Sequence, residues 1–301
     1  MAAPQRARPW LLLTHRQALG LMLLPYLLGL VGLIIIPALL ALGLAFTQYD
    51  GLSLPRWTGW RNFTLLFADL RFWAALKNSL FFAGVAVPLR GLGALALALL
   101  LNPPRQGAGF YRAAIYLPTV IPDVAYALIW LWVFNPVYGP LNLLLINLGL
   151  PAPVWLVDPD LAKPALSLMS LFQIGEGFVI VLAGLQTIPR EVLESAALDG
   201  SNRWQVVWHV ILPLLTPWLA LLTVRDLIMS LQNTFTPALI MTGGGPYYAT
   251  LFLNHLAYEE AFDGFRFGQG AAILLLIVVI SAALLGGLWV LIQRWGDQSD
   301  D

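Results

Sequence analysis

The sequence contains no cysteine and only two lysines, Lys77 and Lys163. Without cysteine there can be no thiolate zinc site, iron–sulfur cluster, c-type haem attachment or disulfide framework. Charge is scarce as well. Only 11% of the 301 residues are charged, against about a quarter in an ordinary soluble domain, and the 16 basic and 16 acidic residues cancel. A neutral chain with no basic run cannot neutralise a row of phosphates, which excludes nucleic acid as a partner. No Gly-x-x-x-x-Gly-Lys-Ser/Thr run occurs: Gly243, Gly244 and Gly245 are followed by Pro246 with no lysine near, so this chain cannot cradle a nucleotide. His15, His209 and His255 lie far apart and show no metal spacing, and no metal site is expected. No serine or carboxylate pair sits in a setting suited to nucleophilic or acid–base chemistry, so the chain reads as a non-enzyme.

What the sequence has in excess is apolar surface: 59% of residues are hydrophobic and the mean hydropathy is +0.77. A helix needs about 20 apolar residues to cross a bilayer, and it satisfies its own backbone polar groups on the way. Six runs of that length stand at 20–46, 72–101, 111–134, 164–185, 206–231 and 268–292. They predict an all-α polytopic membrane protein with six spans, a single transmembrane domain over 1–301. The first run has no small-residue cleavage site after it and reads as an uncleaved span. Pro25, Pro37, Pro88, Pro118, Pro122, Pro213 and Pro217 fall within the runs, which predicts kinked helices around a central space.

Three long connections, Thr47 to Arg71, Asn135 to Lys163 and Asn233 to Phe267, fall on one side if the spans alternate. They are rich in Trp, Tyr, Pro and Gly, as ordered interfacial segments are. Arg6, Arg8, Arg16, Arg105, Arg112, Arg190, Arg203 and Arg294 flank the spans on the other side, against six basic residues on the loop side. That small excess, with the acid-free N-terminal tail, places both termini in the cytoplasm.

The connection between the fourth and fifth spans, 186–205, is of a different kind. Pro189 suits a first helical turn, Glu191 and Glu194 lie near the positive end of the helix, and Gly200 stands where a helix stops. Val192, Leu193, Ala196 and Ala197 make one narrow face of small and apolar side chains, suited to a groove on another protein. Ser201 is placed to cap the next helix, which begins with Asn202, Arg203, Trp204 and Gln205.

Glu194-Ser195-Ala196, then Asp199-Gly200 and Leu212-Pro213, resemble the EAA loop of binding-protein-dependent ABC importer permeases. Ser195 and Ser201 stand where that family usually has alanine, and Val207 where phenylalanine is common. The resemblance implies type I importer architecture. Its coupling loop would comprise Glu191, Glu194, Ser195, Ala196, Ala197, Asp199, Gly200 and Arg203, docked on a cytoplasmic ATPase. Thr242-Gly243-Gly244-Gly245-Pro246, with Tyr258, Ala261-Phe262 and Gly268, resembles the carbohydrate-uptake permeases of the maltose and glycerol-phosphate type. Further likeness runs over about residues 20 to 292, including Tyr111-Arg112, Asn135-Pro136 and Leu182 to Gln186. The family implies a sugar or related polyol as cargo and an extracytoplasmic solute-binding protein that delivers it. It also implies a second, homologous permease and two copies of the ATPase, which carry the ATP and Mg; no cofactor is expected on this chain.

Ionisable groups inside a span each ask for a function or a partner. Arg90, Asp123, Glu176, Arg225 and Asp226 are such groups, and with Tyr126, Gln232 and Asn233 they form the candidate substrate pathway. Interhelical pairing, such as Glu176 with Arg90 or Arg225, is the competing account of the charges. Trp130 and Asn254 are further candidates for the lining, with packing or interfacial placement the usual role of a tryptophan. A stand-alone ion-coupled carrier with Glu176, Arg225 and Asp226 as relay is the alternative function. It lacks the paired, interrupted helices in matching halves that such carriers show.

Overall fold

The computed structural model describes residues 14–103 and 106–297. Arg6, Arg8 and Arg105, counted above for orientation, lie outside the described residues.

The described chain is helical except for one two-stranded ribbon, β1 (Thr47–Gln48) against β2 (Arg56–Trp57). The first apolar run is α1 (His15–Leu30), a π-helical turn at Val31–Ile35 and α2 (Ile36–Leu44), in effect one rod. Its α2 end packs against α15 (Phe267–Asp297), the last apolar run, and against β1. A short α3 (Arg61–Ala68) follows the ribbon. The second run is α4 (Leu70–Leu101), capped by Asp69, whose carboxylate accepts from the Arg71 N–H at 2.8 Å. The fifth run joins α11 (Arg203–Val206), a π-helical turn at Val207–Ile211 and α12 (Leu212–Gln232).

The third and fourth runs are each a pair of helices joined at a break, the third at the prolines Pro118 and Pro122 that predict a kink. The third is α5 (Ala108–Tyr116), a 3₁₀ turn (Leu117–Val120) and α6 (Asp123–Val133), with a bend of 101°. Ile121 is extended because the ring of Pro122 disfavours the helical region for the residue before it, and Pro122 supplies no N–H to continue the ladder. The fourth is α8 (Pro159–Leu171) and α9 (Gly175–Thr187), bent by 47°. The two breaks touch. A Cβ on Gly175 would lie 2.8 Å from the Ile115 carbonyl oxygen and 2.8 Å from the Tyr116 Cα, so the bent spans meet backbone to backbone. Four unbroken helices and two bent pairs thus account for the six runs.

Three buried clusters run from one end of the bundle to the other. Phe63, Phe72, Leu253, Leu256 and Ile273 join α3, α4, α14 (Leu253–Tyr258) and α15 at the end that carries the long connections. Phe82, Trp130, Phe134, Leu166 and Phe252 join α4, α6 and α8 in the middle. Ala94, Phe178, Val181, Leu215 and Leu222 join α4, α9 and α12 at the opposite end. Small residues let these helices close up: a Cβ on Gly184 would fall 2.6 Å from the Trp218 ring.

Candidate functional site

Between α4, the two helix breaks and α12 lies an open cavity. Six of the eight residues predicted for the pathway line it: Arg90, Asp123, Tyr126, Glu176, Arg225 and Asn233. Thr119, Ser170, Gln173 and Ser230 add further hydroxyls and an amide to the wall. Asp226 does not line it. It follows Arg225 round the helix and is buried behind it, while Gln232 is exposed outside the cavity and its backbone carbonyl accepts from the Asn254 amide.

The charges form a chain of ion pairs. Glu176 on α9 pairs with Arg225 on α12, Arg225 Nη1 lies 2.7 Å from Asp226 Oδ1, and Asp226 Oδ2 lies 3.6 Å from Arg90 Nε on α4. Arg90 Nη2 also donates to the Ser230 hydroxyl and to the Asp226 carbonyl. Of the two pairings considered for Glu176, the one with Arg225 is present and Arg90 goes to Asp226. Asp123, the first residue of α6, is exposed and has no ion-pair partner among the described residues. The Tyr126 hydroxyl donates to the Met169 carbonyl at 2.8 Å. Trp130 is buried against Phe134 and Phe172 and is a packing residue.

At the opposite end of the bundle, α10 (Arg190–Leu198) begins one residue after Pro189 and ends in a Schellman motif. Ser201 N–H donates to the Ala196 carbonyl and Gly200 N–H to the Ala197 carbonyl, both at 3.1 Å, with Gly200 at φ +80°. The cap of the next helix is Asn202, not Ser201. Its side chain accepts from Gln205 N–H at 2.9 Å, and the Gln205 side chain accepts from Asn202 N–H at 2.7 Å, a closed capping box. The expected apolar face is also divided. Leu193 and Ala196 turn inward, Leu193 onto the cluster that includes Ile188, while Val192 and Ala197 are exposed beside Leu198. Leu198 is 89% exposed and Trp204 75%, so the outward apolar surface is centred one turn later than expected. Glu191, Glu194, Ser195, Asp199 and Arg203 are exposed around it.

The triple glycine after α13 (Phe235–Met241) is a tight loop with Gly243 at φ +57° and Gly244 at φ +79°. Gly245 C=O accepts from the Thr250 hydroxyl at 2.6 Å, and Asn78 on α4 donates to the Tyr248 and Leu251 carbonyls at 2.7 and 2.9 Å. Lys163 on α8 holds the same Asn78 through its Oδ1 at 3.1 Å. The loop is thus anchored to two spans.

Residues 91–295 match the family described as binding-protein-dependent transport system inner membrane component. The chain belongs to this family. It is a multi-pass inner-membrane permease, the transport subunit of an ABC importer that works with a binding protein and an ATPase, and this membership lends nothing to a stand-alone carrier. The permease is 36% identical over 261 residues to the probable ABC transporter permease protein YesP of Bacillus subtilis (strain 168), covering 85% of this chain and 84% of YesP. It is 30% identical over 279 residues to the trehalose/maltose transport system permease protein MalF of Thermococcus litoralis, covering 91% and 94% of the two chains. Its fold matches, at a TM-score of 0.80 and 23% identity, a crystal structure of a bacterial ABC transporter involved in the import of the acidic polysaccharide alginate, over 92% of this chain and 95% of that one.

One polar centre of the permease escaped the reading of the sequence. Glu260 is fully buried at the loop end, with Oε1 2.7 Å from Arg71 Nη2 and Oε2 2.7 Å from Arg266 Nε. Arg71 also binds Asp69 at 2.9 Å, and Glu259 completes the group, 3.9 Å from Arg71 and 3.5 Å from the buried His255. Burial pushes the Glu259 carboxyl up from 4.5, with Arg71 opposing, and pushes the His255 imidazole down from 6.5, with Asp263 opposing. The signal available was five charges, Asp69, Arg71, Glu259, Glu260 and Arg266, at the mouths of the second and sixth runs in a chain with few to spare.

Proposed function

We propose that this permease carries a sugar or related polyol, pairing with a second, homologous permease to enclose one pathway of which the cavity beside Arg90, Asp123 and Glu176 is this chain's wall. The wall carries the reading: in an otherwise apolar bundle it gathers hydroxyl, amide and carboxylate groups, the chemistry that matches sugar hydroxyls. The trehalose/maltose relative agrees with it. Two copies of the ATPase bind ATP and Mg beneath, both termini face them in the cytoplasm, and the binding protein delivers cargo to the long connections. Closure of the ATPase pair pushes α10, whose exposed Glu191, Glu194 and Leu198 form the docking face together with Trp204 of α11. The bent spans then exchange one open side for the other, a two-state motion.

Because the chain has no cysteine, single cysteines at Glu191, Ala197 and Leu198 give unambiguous cross-links. Capture of an ATPase subunit, together with ATP-driven uptake of a sugar by the reconstituted complex, is the expected result. Uptake by liposomes holding this chain alone, driven by an ion gradient, would sink the proposal.

A further inference from the structure

Both arginines on the cavity wall are already matched by carboxylates of the same chain. Arg225 is held by Glu176 and Asp226, and Arg90 by Asp226 with the Ser230 hydroxyl as a further acceptor. An anionic solute would have to break one of these pairs to find a cation. Asp123 is the charge left over: it lines the same cavity, is exposed, and has no ion-pair partner among the described residues. Adding Arg90 and Arg225 against Asp123, Glu176 and Asp226 gives 2 − 3 = −1 for the group.

The helix breaks point the same way. A half-helix that begins at a cavity offers free N–H groups and the positive end of its dipole, the usual seat for a carboxylate or phosphate of a bound solute. Here α6 begins with Asp123 and α9 has Glu176 as its second residue. Each terminus therefore carries its own carboxylate in the first turn, which opposes its attraction for a foreign anion. The neutral groups on the wall, such as Gln173, Asn233 and Thr119, can exchange hydrogen bonds with hydroxyls at no cost in charge.

We propose that this wall is selective for uncharged, hydroxyl-rich solutes and excludes those bearing carboxylate, sulfonate or phosphate, with Asp123 setting the sign. The proposal rests on the cavity being the transport pathway.

The absence of cysteine supplies the test. In the assembled importer, Asn233→Cys places one thiol of this chain on the cavity wall. Its rates of modification by hydroxyethyl, trimethylammonioethyl and sulfonatoethyl methanethiosulfonate are read by mass spectrometry on this chain and divided by each reagent's rate with a free thiol in solution. The neutral and cationic reagents should react at least about fivefold faster than the sulfonate, the effect of one nearby charge in a partly wet site. Adding Asp123→Asn should bring the three rates together. A sulfonate rate equal to or above the others overturns the proposal, as does a ratio that Asp123→Asn leaves unmoved or a thiol that no reagent reaches. ATP-driven sugar uptake by the same complex, without the cysteine, reports on the transport reading separately: anion preference in a complex that still transports overturns the charge assignment alone.

Discussion

Arg90 on α4 lies 3.6 Å from Asp226 on α12, and both side chains are almost wholly shielded from solvent. Breaking such a pair from one side strands a buried charge, whereas replacing both partners removes the desolvation cost together with the attraction. Asp226→Ala should therefore destabilise the permease by about 3–5 kcal/mol, while Arg90→Met combined with Asp226→Leu should recover most of that loss, Arg225 keeping Glu176 as its partner. Thermal unfolding of the three proteins in detergent checks the ordering. A double variant weaker than Asp226→Ala would contradict it.

Gly175 is where the two bent spans press together, with backbone atoms of the third only 2.8 Å from any added Cβ. Backbone cannot swing aside as a side chain can, so even Gly175→Ala should cost about 1–3 kcal/mol, the range for overpacking a tight site. Gly91 is the control, since nothing lies within 4 Å of a Cβ there. Equal melting temperatures for Gly175→Ala and Gly91→Ala would refute the contact.

Gly200 has open space around it but a left-handed backbone, φ +80°. Gly200→Val should strain the end of α10 by about 1–2 kcal/mol, and Gly200→Asn by less. If α10 transmits the ATPase stroke, uptake and binding-protein-stimulated ATP hydrolysis should both fall in the valine variant and survive in the asparagine variant. Wild-type levels of both in Gly200→Val would remove α10 from the coupling.

Asn78 holds the Tyr248 and Leu251 carbonyls from α4. Asn78→Leu keeps the volume and deletes the donors, at about 1–3 kcal/mol for each carbonyl left buried and unpaired. Hydrogen exchange should accelerate in residues 247–252 with little change in α4 itself. Unaltered exchange in the loop would show that the amide is not its anchor.

Burial holds the His255 imidazole below 6.5, so the folded permease binds fewer protons there than the unfolded chain. Its contribution to stability is complete above 6.5 and is lost as the pH falls through the folded value. Glu259, raised above 4.5, has the opposite sign: its contribution is present below 4.5 and is lost as the pH rises through its folded value. Acidification from about pH 7.5 to about pH 5.5 should lower the melting temperature, and His255→Gln should flatten that slope. An unchanged slope in the variant would assign the pH response to other groups.

The six apolar runs were legible because crossing lipid demands a length and composition that little else demands. Pro118 and Pro122 announced a kink, yet the 101° turn depends on how α6 packs against α13, which no local pattern encodes. Ser201 and Asn202 are both good caps, and the choice between them fell to Gln205, the only partner three residues on that could close the box. The face of α10 was misjudged because amphipathicity reveals that a side is apolar and not whether the chain itself will cover it. Arg225 and Asp226 looked alike as intramembrane charges, but adjacent residues point about 100° apart on a helix, so one lines the cavity and the other supports it. Glu260 was missed because the partner that ties it to another span, Arg71, is 189 positions away, while nearby Arg266 reads as an ordinary loop charge.

The contact at Gly175 bears on how such a bundle can move. Where two elbows meet through side chains, rotamer changes can absorb a tilt of one before the other feels it. Here no cushioning layer separates the end of α5, at Ile115 and Tyr116, from the start of α9, whose second residue is Glu176. A rotation of either elbow is handed directly to its neighbour, so the two breaks turn as one joint.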